Sequence, residues 1–271
     1  MKTPRHTTNR KPIAALALVL ILNGFAWSQT AKELADREYS VGATLWQQSS
    51  GEHRALCYQA FALARLLLDR DLKSRTRQRR AIIVDVDDTM LDTSRYEAWL
   101  VKENKSYPQE WTDWINRAEF PPVPGAVEFL NYANSRGVQV FYVTNRRLNE
   151  KDGTARNLRQ AGFPAVNDQT LLVRTDPQSD TKEPRRREIG AKYHVVLLMG
   201  DDLNDFSGVF ELSRTAKARL VAADQNKNQF GARFIVLPNP MYGNWENSLY
   251  EYNFKLSEKA KSEKRHSLLK E

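Results

Sequence analysis

One cysteine, Cys57, in 271 residues excludes an internal disulfide, a four-cysteine zinc site and a Cys-x-x-Cys redox pair. Four histidines, at 6, 53, 194 and 266, show no metal-ligand spacing such as His-Glu-x-x-His. Glycine (12) and proline (11) are too scarce for a collagenous or low-complexity chain. The sequence has no Gly-x-Gly-x-x-Gly, no Gly-x-x-x-x-Gly-Lys-Ser/Thr and no Gly-x-Ser-x-Gly, the usual dinucleotide, P-loop and serine-hydrolase motifs. A cysteine-phosphatase loop is missing too, because no arginine stands six positions after Cys57. Beyond the N-terminus no apolar run approaches the ~20 residues of a membrane-spanning helix. What remains is a chain with 41% hydrophobic residues, long enough to bury one sizeable core.

The formal net charge of +8 resembles a nucleic-acid signal until it is divided along the chain. Lys2, Arg5, Arg10 and Lys11 precede the apolar run Ile13–Leu22, no acid occurs before Glu33, and Ala26-Trp27-Ser28 is a small-x-small triplet. That is the pattern of a secretory leader cleaved after Ser28, with a signal retained uncleaved as an anchor the alternative. Its removal takes four of the 41 Lys and Arg and leaves a mature chain only mildly basic against 33 acids. Neither a nucleic-acid polymer as partner nor a stable membrane span after cleavage is expected. The predicted location is periplasmic or secreted. No cysteine directly follows the apolar run, so no lipid anchor is expected.

From Ala31 to about Leu72 apolar residues recur at three- and four-residue spacing, and Ser49-Ser50-Gly51 divides two predicted helices. The basic stretch Arg70–Arg80 reads as a solvated connector. Five short apolar runs follow, at 81–85, 138–144, 171–173, 195–199 and 234–237. Helical stretches separate them, two ending at Gly137 and Gly162. Near-continuous apolar strands alternating with helices predict a doubly wound parallel α/β sheet, with its ligand at the strand carboxyl ends. An aromatic-rich insertion, 92–124, interrupts the chain after the first strand and reads as a small cap. The predicted organisation is a leader (1–28), a helical segment (29–80), a core (81–252) and a charged tail (253–271), expected to be a frayed helix.

The strand ends carry polar groups in a telling order. The first reads Asp85-Val86-Asp87-Asp88-Thr89, the second ends Thr144-Asn145-Arg146, and the fourth ends Gly200-Asp201-Asp202-Leu203-Asn204-Asp205. Carboxylates converging where hydration is poor repel one another. A hard divalent cation removes that conflict, and an all-oxygen ligand set favours magnesium (Mg2+) over zinc. Magnesium sites are commonly completed by a substrate phosphate, which needs a hydroxyl such as Thr144, with Asn145 beside it, and a cation such as Lys182. Arg185, Arg186 and Arg187 are alternatives to Lys182. A calcium loop fits poorly, since its sixth and twelfth positions would be Met90 and Tyr96 rather than Gly and Glu. A strand-end aspartate alone also reads as a helix N-cap.

The full order, Asp-x-Asp-x-Thr, a strand-end threonine, a lysine, then Gly-Asp-x-x-x-Asp, resembles the haloacid dehalogenase superfamily. Ile83–Tyr96 and Leu198–Phe206 together are similar to the bipartite signature of the class C bacterial acid phosphatases and 5′-nucleotidases. The likeness continues through Phe141–Arg146 and Leu237–Glu246. Asp88 stands where that family usually has Glu, and Asp202 where it usually has Asn or Thr.

The resemblance implies a magnesium-dependent phosphomonoesterase. Asp85 would be the nucleophile, forming an aspartyl-phosphate, and Asp87 the general acid and base. Asp85 and Asp201 would bind the metal through carboxylates and Asp87 through its main-chain carbonyl. Thr144, Asn145 and Lys182 would hold the phosphate, with Asp202 and Asp205 behind them. Trp111 and Tyr242 would clamp a nucleoside 5′-monophosphate base between two rings, though most aromatics of the insertion read as packing. A phosphotransferase using the same intermediate, or a non-catalytic nucleotide- or anion-binding surface protein, is the alternative expectation.

Overall fold

The computed structural model describes Met1 and residues 37–271. The leader expected over 1–28 lies, apart from Met1, outside these residues. The helices are α1 (Val41–Ser49), α2 (Gly51–Leu72), α3 (Ser94–Lys102), α4 (Trp111–Arg117), α5 (Ala126–Ser135), α6 (Lys151–Gln160), α7 (Glu183–Lys192), α8 (Gly208–Glu211), α9 (Ala216–Gln225), α10 (Asn244–Leu249) and α11 (Glu258–Ser267). The strands are β1 (Arg80–Val84), β2 (Gln139–Arg147), β3 (Leu171–Arg174), β4 (His194–Gly200) and β5 (Phe234–Val236). They form one sheet in the order β3-β2-β1-β4-β5. Every pairing is parallel.

The strand sequences alternate between two cores. Ile82 and Val84 of β1 join Val140 and Tyr142 of β2 on one face, under α2 to α6. Ala81, Ile83, Phe141 and Val143 face the other way, against Ile189, Phe210 and Ala222 of α7 to α9. Burial on both faces explains why the strands read as continuous apolar runs. Helices α5 and α6 end before left-handed glycines, Gly137 (φ 74°) and Gly162 (φ 90°), conformations that cost other residues a clash at Cβ.

The Ser-Ser-Gly break works as a cap. Ser50 is extended and its hydroxyl accepts the His53 N–H at 3.0 Å, so a new helix starts there. The buried face of α2 is Cys57, Phe61, Ala64, Leu67 and Leu68, while the apolar Tyr58 and Leu66 stay exposed. The basic connector after α2 is tied at its end, where Arg80 Nε donates to Asp71 at 2.6 Å.

The insertion after β1 is pinched at its neck by Asp92 N–H to Pro121 O (2.8 Å) and Val123 N–H to Met90 O (2.9 Å). Inside, Tyr96, Trp99, Trp111, Trp114 and Phe120 pack ring against ring. The charged tail departs from a frayed end. Helix α11 folds back, Arg265 donating to Tyr250 Oη at 2.7 Å and lying 3.8 Å over the Tyr39 ring.

The chain runs from β1 outward to β3, then returns to place β4 on the other side of β1. The direction of winding reverses between β1 and β4, which opens a crevice at their carboxyl ends.

Candidate active site

Asp85 follows β1 and its N–H extends the ladder to Met199 O at 2.9 Å. It therefore leaves the sheet beside the end of β4, where Gly200 is followed by Asp201. A Cβ at Gly200 would overlap the Asp205 carboxylate. Glycine there lets Asp205 fold back over the strand end, with Asp202 N–H donating to its Oδ2 at 3.1 Å. The outcome is three carboxylates, Asp85, Asp201 and Asp205, with one oxygen of each within 4.8 Å of the others. The carboxylate cluster thus contains Asp205, expected from the sequence to lie behind the metal and phosphate site, together with the two expected carboxylate ligands Asp85 and Asp201.

Lys182, buried just before α7, donates from Nζ to Asp85 and, at 2.6 Å, to Asp205. Among the described residues Asp201 receives only neutral donors, Asn239 Nδ2 at 2.8 Å and Thr89 Oγ1 at 3.1 Å. One ammonium thus faces three carboxylates. Burial, then Asp205 and Asp85, push Asp201 well above the usual carboxylate range. Burial also raises Asp85, to about 7, although Lys182 opposes it. Burial works against the Lys182 ammonium, but Asp205 and Asp85 together hold its pKa above the ordinary lysine value. The cluster has more negative charge than one lysine neutralises, and every donor atom is oxygen. These residues fit a hard divalent cation.

The Asp87 carboxylate has a partner of its own outside this cluster. It receives Arg146 Nη2 at 2.7 Å and Nε at 3.1 Å. Arg146 stands in the Thr-Asn-Arg run at the second strand end, but nothing local in the sequence marks it as the partner of Asp87. Asn239 and Thr89 likewise lie within the family-like motifs, but no local pattern marks them as partners of Asp201.

Every expected site residue except Thr144 borders one cavity of about 490 Å³. Thr144 is fully buried and its Oγ1 accepts Arg146 N–H at 3.2 Å. Asn145 borders the cavity, but its amide donates to Asp180 O (2.7 Å) and accepts from Arg185 Nη2 (2.8 Å). Arg185 also donates to Thr144 O, and Arg186 is engaged with Glu183 and Glu211. Of the four basic residues at 182 and 185–187, Lys182 is the one bonded to Asp85. Asp202 ties the end of β4 to α10, accepting Asn244 N–H at 2.6 Å and pairing with Arg219 at 3.1 Å.

Trp111 is only 7% exposed, packed on Tyr96 with ring centroids 4.7 Å apart. Tyr242 donates its hydroxyl to Asp88 at 2.5 Å. Asp88 is buried in a left-handed conformation (φ 52°) and also accepts from Thr93 and from Gln47 of α1. The aspartate at this position therefore anchors the Tyr242 ring and the first helix to the turn after β1. The far wall of the cavity includes Glu258 and Lys261 of α11, residues of the tail that sequence reading left without a role.

The family model of the HAD superfamily, subfamily IIIB (acid phosphatase), matches residues 19–245. A solved class C acid phosphatase from Bacillus anthracis is 41% identical with a TM-score of 0.84, the match covering 88% of this chain and 99% of that one. A structure of the Bacillus anthracis class C acid phosphatase with tungstate bound gives 42% identity and a TM-score of 0.83, over 88% and 98%. A stem 28 kDa glycoprotein of Glycine max is 24% identical over 220 residues, 77% of this chain and 73% of its own. The parallel sheet, the strand-end carboxylates and these matches agree: the chain belongs to the subfamily IIIB acid phosphatases of the HAD superfamily, as a phosphomonoesterase of the class C type.

Proposed function

We propose that this phosphatase is exported, depends on magnesium and acts on nucleoside 5′-monophosphates through a phosphoryl-enzyme. The observation that carries the reading is the meeting of Asp85, Asp201, Asp205 and Lys182 at adjacent strand ends, two residues from Asp87. Asp85 attacks phosphorus in line, and the bond to the ester oxygen breaks as the aspartyl-phosphate forms. Asp87 gives its proton to the departing oxygen, then takes one from water as that water attacks phosphorus and releases phosphate and free Asp85. Lys182, with Thr144 and Asn145, offsets charge on the phosphoryl oxygens, and Asp205 keeps Lys182 in place. Asp202 braces this strand end from behind. Asp85 and Asp201 would hold magnesium by carboxylates and Asp87 by its carbonyl, its own carboxylate being held by Arg146. A divalent ion held by these residues would neutralise the converging anions and supply Lewis-acid polarisation of the phosphoryl group. The tungstate in the Bacillus anthracis relative, a tetrahedral oxyanion like phosphate, supports an anion subsite.

The nucleotide preference rests on Trp111 and Tyr242, two aromatic residues on the same cavity wall system. Stacking is worth about 1–3 kcal/mol per base. Tyr242→Leu is expected to raise the KM for a nucleoside 5′-monophosphate, relative to that for glycerol phosphate, by about fivefold to a hundredfold. Trp111→Phe, which keeps an aromatic face within the packed cap, is expected to shift the same ratio less. An unchanged ratio in both variants leaves a broad phosphatase without a base clamp.

Export is tested on the protein recovered from its native host. Mass spectrometry is expected to find a start near Gln29 and no lipid adduct. A membrane-partitioning chain that retains Met1 contradicts the cleaved leader. Among the described residues no helix is long and apolar enough to cross a membrane.

A further inference from the structure

We propose that Arg146 is the positioning residue that aims the Asp87 carboxylate, and that the cap acts on catalysis through it. The inference rests on the reading of Asp87 as the acid above. A guanidinium removed from water persists only when its donors are satisfied. The Arg146 side chain is fully buried, and its guanidinium donates to the turn after β1 and to α6. Nη2 donates to Asp87 Oδ1 at 2.7 Å, while Nε reaches Oδ1 at 3.1 Å and Oδ2 at 3.2 Å. Nη1 donates to Thr154 Oγ1 at 3.1 Å. The Thr154 hydroxyl is itself fixed, donating to Glu150 O at 2.8 Å one turn earlier. The main-chain N–H of Arg146 bonds Thr144 Oγ1. Two cap rings, Trp111 and Phe120, each lie 5.6 Å from the guanidinium carbon.

Arg146 is therefore held from behind by α6 and β2 and covered by the cap. Its remaining face is the one that grips Asp87, whose side chain is 20% exposed. A planar fork on a carboxylate fixes its direction as well as its place, which a point charge does not. The aspartate lies within the turn after β1, and its side chain would otherwise rotate about its bonds. Misplacing a reacting group by about 1 Å can cost about 10²-fold in rate. The arrangement makes the alignment of Asp87 depend on the cap aromatics, and gives the buried Trp111 a catalytic consequence in addition to any contact with substrate.

The test separates aim from structure and from phosphate binding. Arg146→Gln and Arg146→Lys are compared with Asp87→Asn on p-nitrophenyl phosphate, whose leaving group needs no proton, and on glycerol phosphate, whose alkoxide does. The kcat/KM is read because it reports the step that expels the leaving group. Arg146→Gln is expected to lose about 10–100-fold more on glycerol phosphate than on p-nitrophenyl phosphate. Arg146→Lys should show the same split, smaller, because charge remains and the fork is gone. It carries the test if the glutamine variant does not fold. Inhibition by inorganic phosphate should stay within about threefold of the parent, since a tenfold change would be ~1.4 kcal/mol of phosphate binding. Equal losses on both esters overturn the proposal and make Arg146 structural. Equal losses with weakened phosphate inhibition overturn it in favour of a direct phosphate contact. If Asp87→Asn shows no split, the acid reading falls and this proposal with it. If Asp87→Asn splits and both Arg146 variants do not, only this proposal falls.

Discussion

Asp85→Asn is expected to abolish turnover of every phosphomonoester while leaving a folded protein. An amide cannot accept the phosphoryl group, so the loss should reach about 10⁴–10⁶-fold, the span seen when members of a covalent catalytic set are removed. Folding should survive because the substitution removes one of three carboxylates, two of them buried, that crowd a common point. Lys182 keeps Asp205 as its partner at 2.6 Å. A thermal midpoint no lower than the parent's, measured beside the rate, separates lost chemistry from lost structure. Asp87→Asn is the companion measurement, with a smaller loss of about 10²–10⁴-fold. Substantial activity in Asp85→Asn would falsify the phosphoryl-enzyme route.

Chelation is expected to take activity to background, and added magnesium to restore it, with zinc a poor replacement at an all-oxygen site. Asp201→Ala should weaken magnesium binding by more than the about 10–100-fold typical of residues one layer behind a metal. Calorimetric titration with the metal alone reads that loss independently of rate. The same ion should raise stability most at neutral pH. Asp85 is raised to about 7 by burial, so folding favours its neutral form. The contribution of Asp85 to stability in the metal-free protein is therefore fully present below the ordinary aspartate pKa of about 4 and is lost as pH rises through about 7. Magnesium should reverse that decline, and thermal midpoints across this range with and without it provide the check. A chelator-resistant enzyme with a flat midpoint would remove the metal from the proposal.

Much of this site was legible because its signals are short and local. Asp85 and Asp201 stand one residue past strands whose apolar runs are visible directly, and parallel sheets bring adjacent strand ends together. Lys182 was open against three neighbouring arginines, and the choice needed coordinates. Arg185 turns under the end of β2 to hold Thr144 O at 2.6 Å, and Arg186 pairs with Glu183 at 2.7 Å. Asp205 read as an outer residue because its place in the cluster depends on the absence of a Cβ at Gly200. The helical character of α2 was plain from spacing, but its inner face was not. That helix carries apolar residues on more than one side, and the sheet and α5 select which side is buried.

The amino-acid order alone therefore specifies the alternation of strands and helices, the cap insertion and the acids of the first and fourth strand ends. Backbone periodicity and motif spacing act over a few residues and survive without a fold. Three-dimensional packing supplies what no local window contains. The Arg146 fork on Asp87 spans 59 positions. The Tyr242 hydroxyl on Asp88 spans 154. The return of α11 to Tyr39 joins the two ends of the described chain. Each of these depends on which side chain finds a buried charge or ring at its tip. Burial makes an unpaired polar group costly, and only the folded neighbourhood decides which partner answers it.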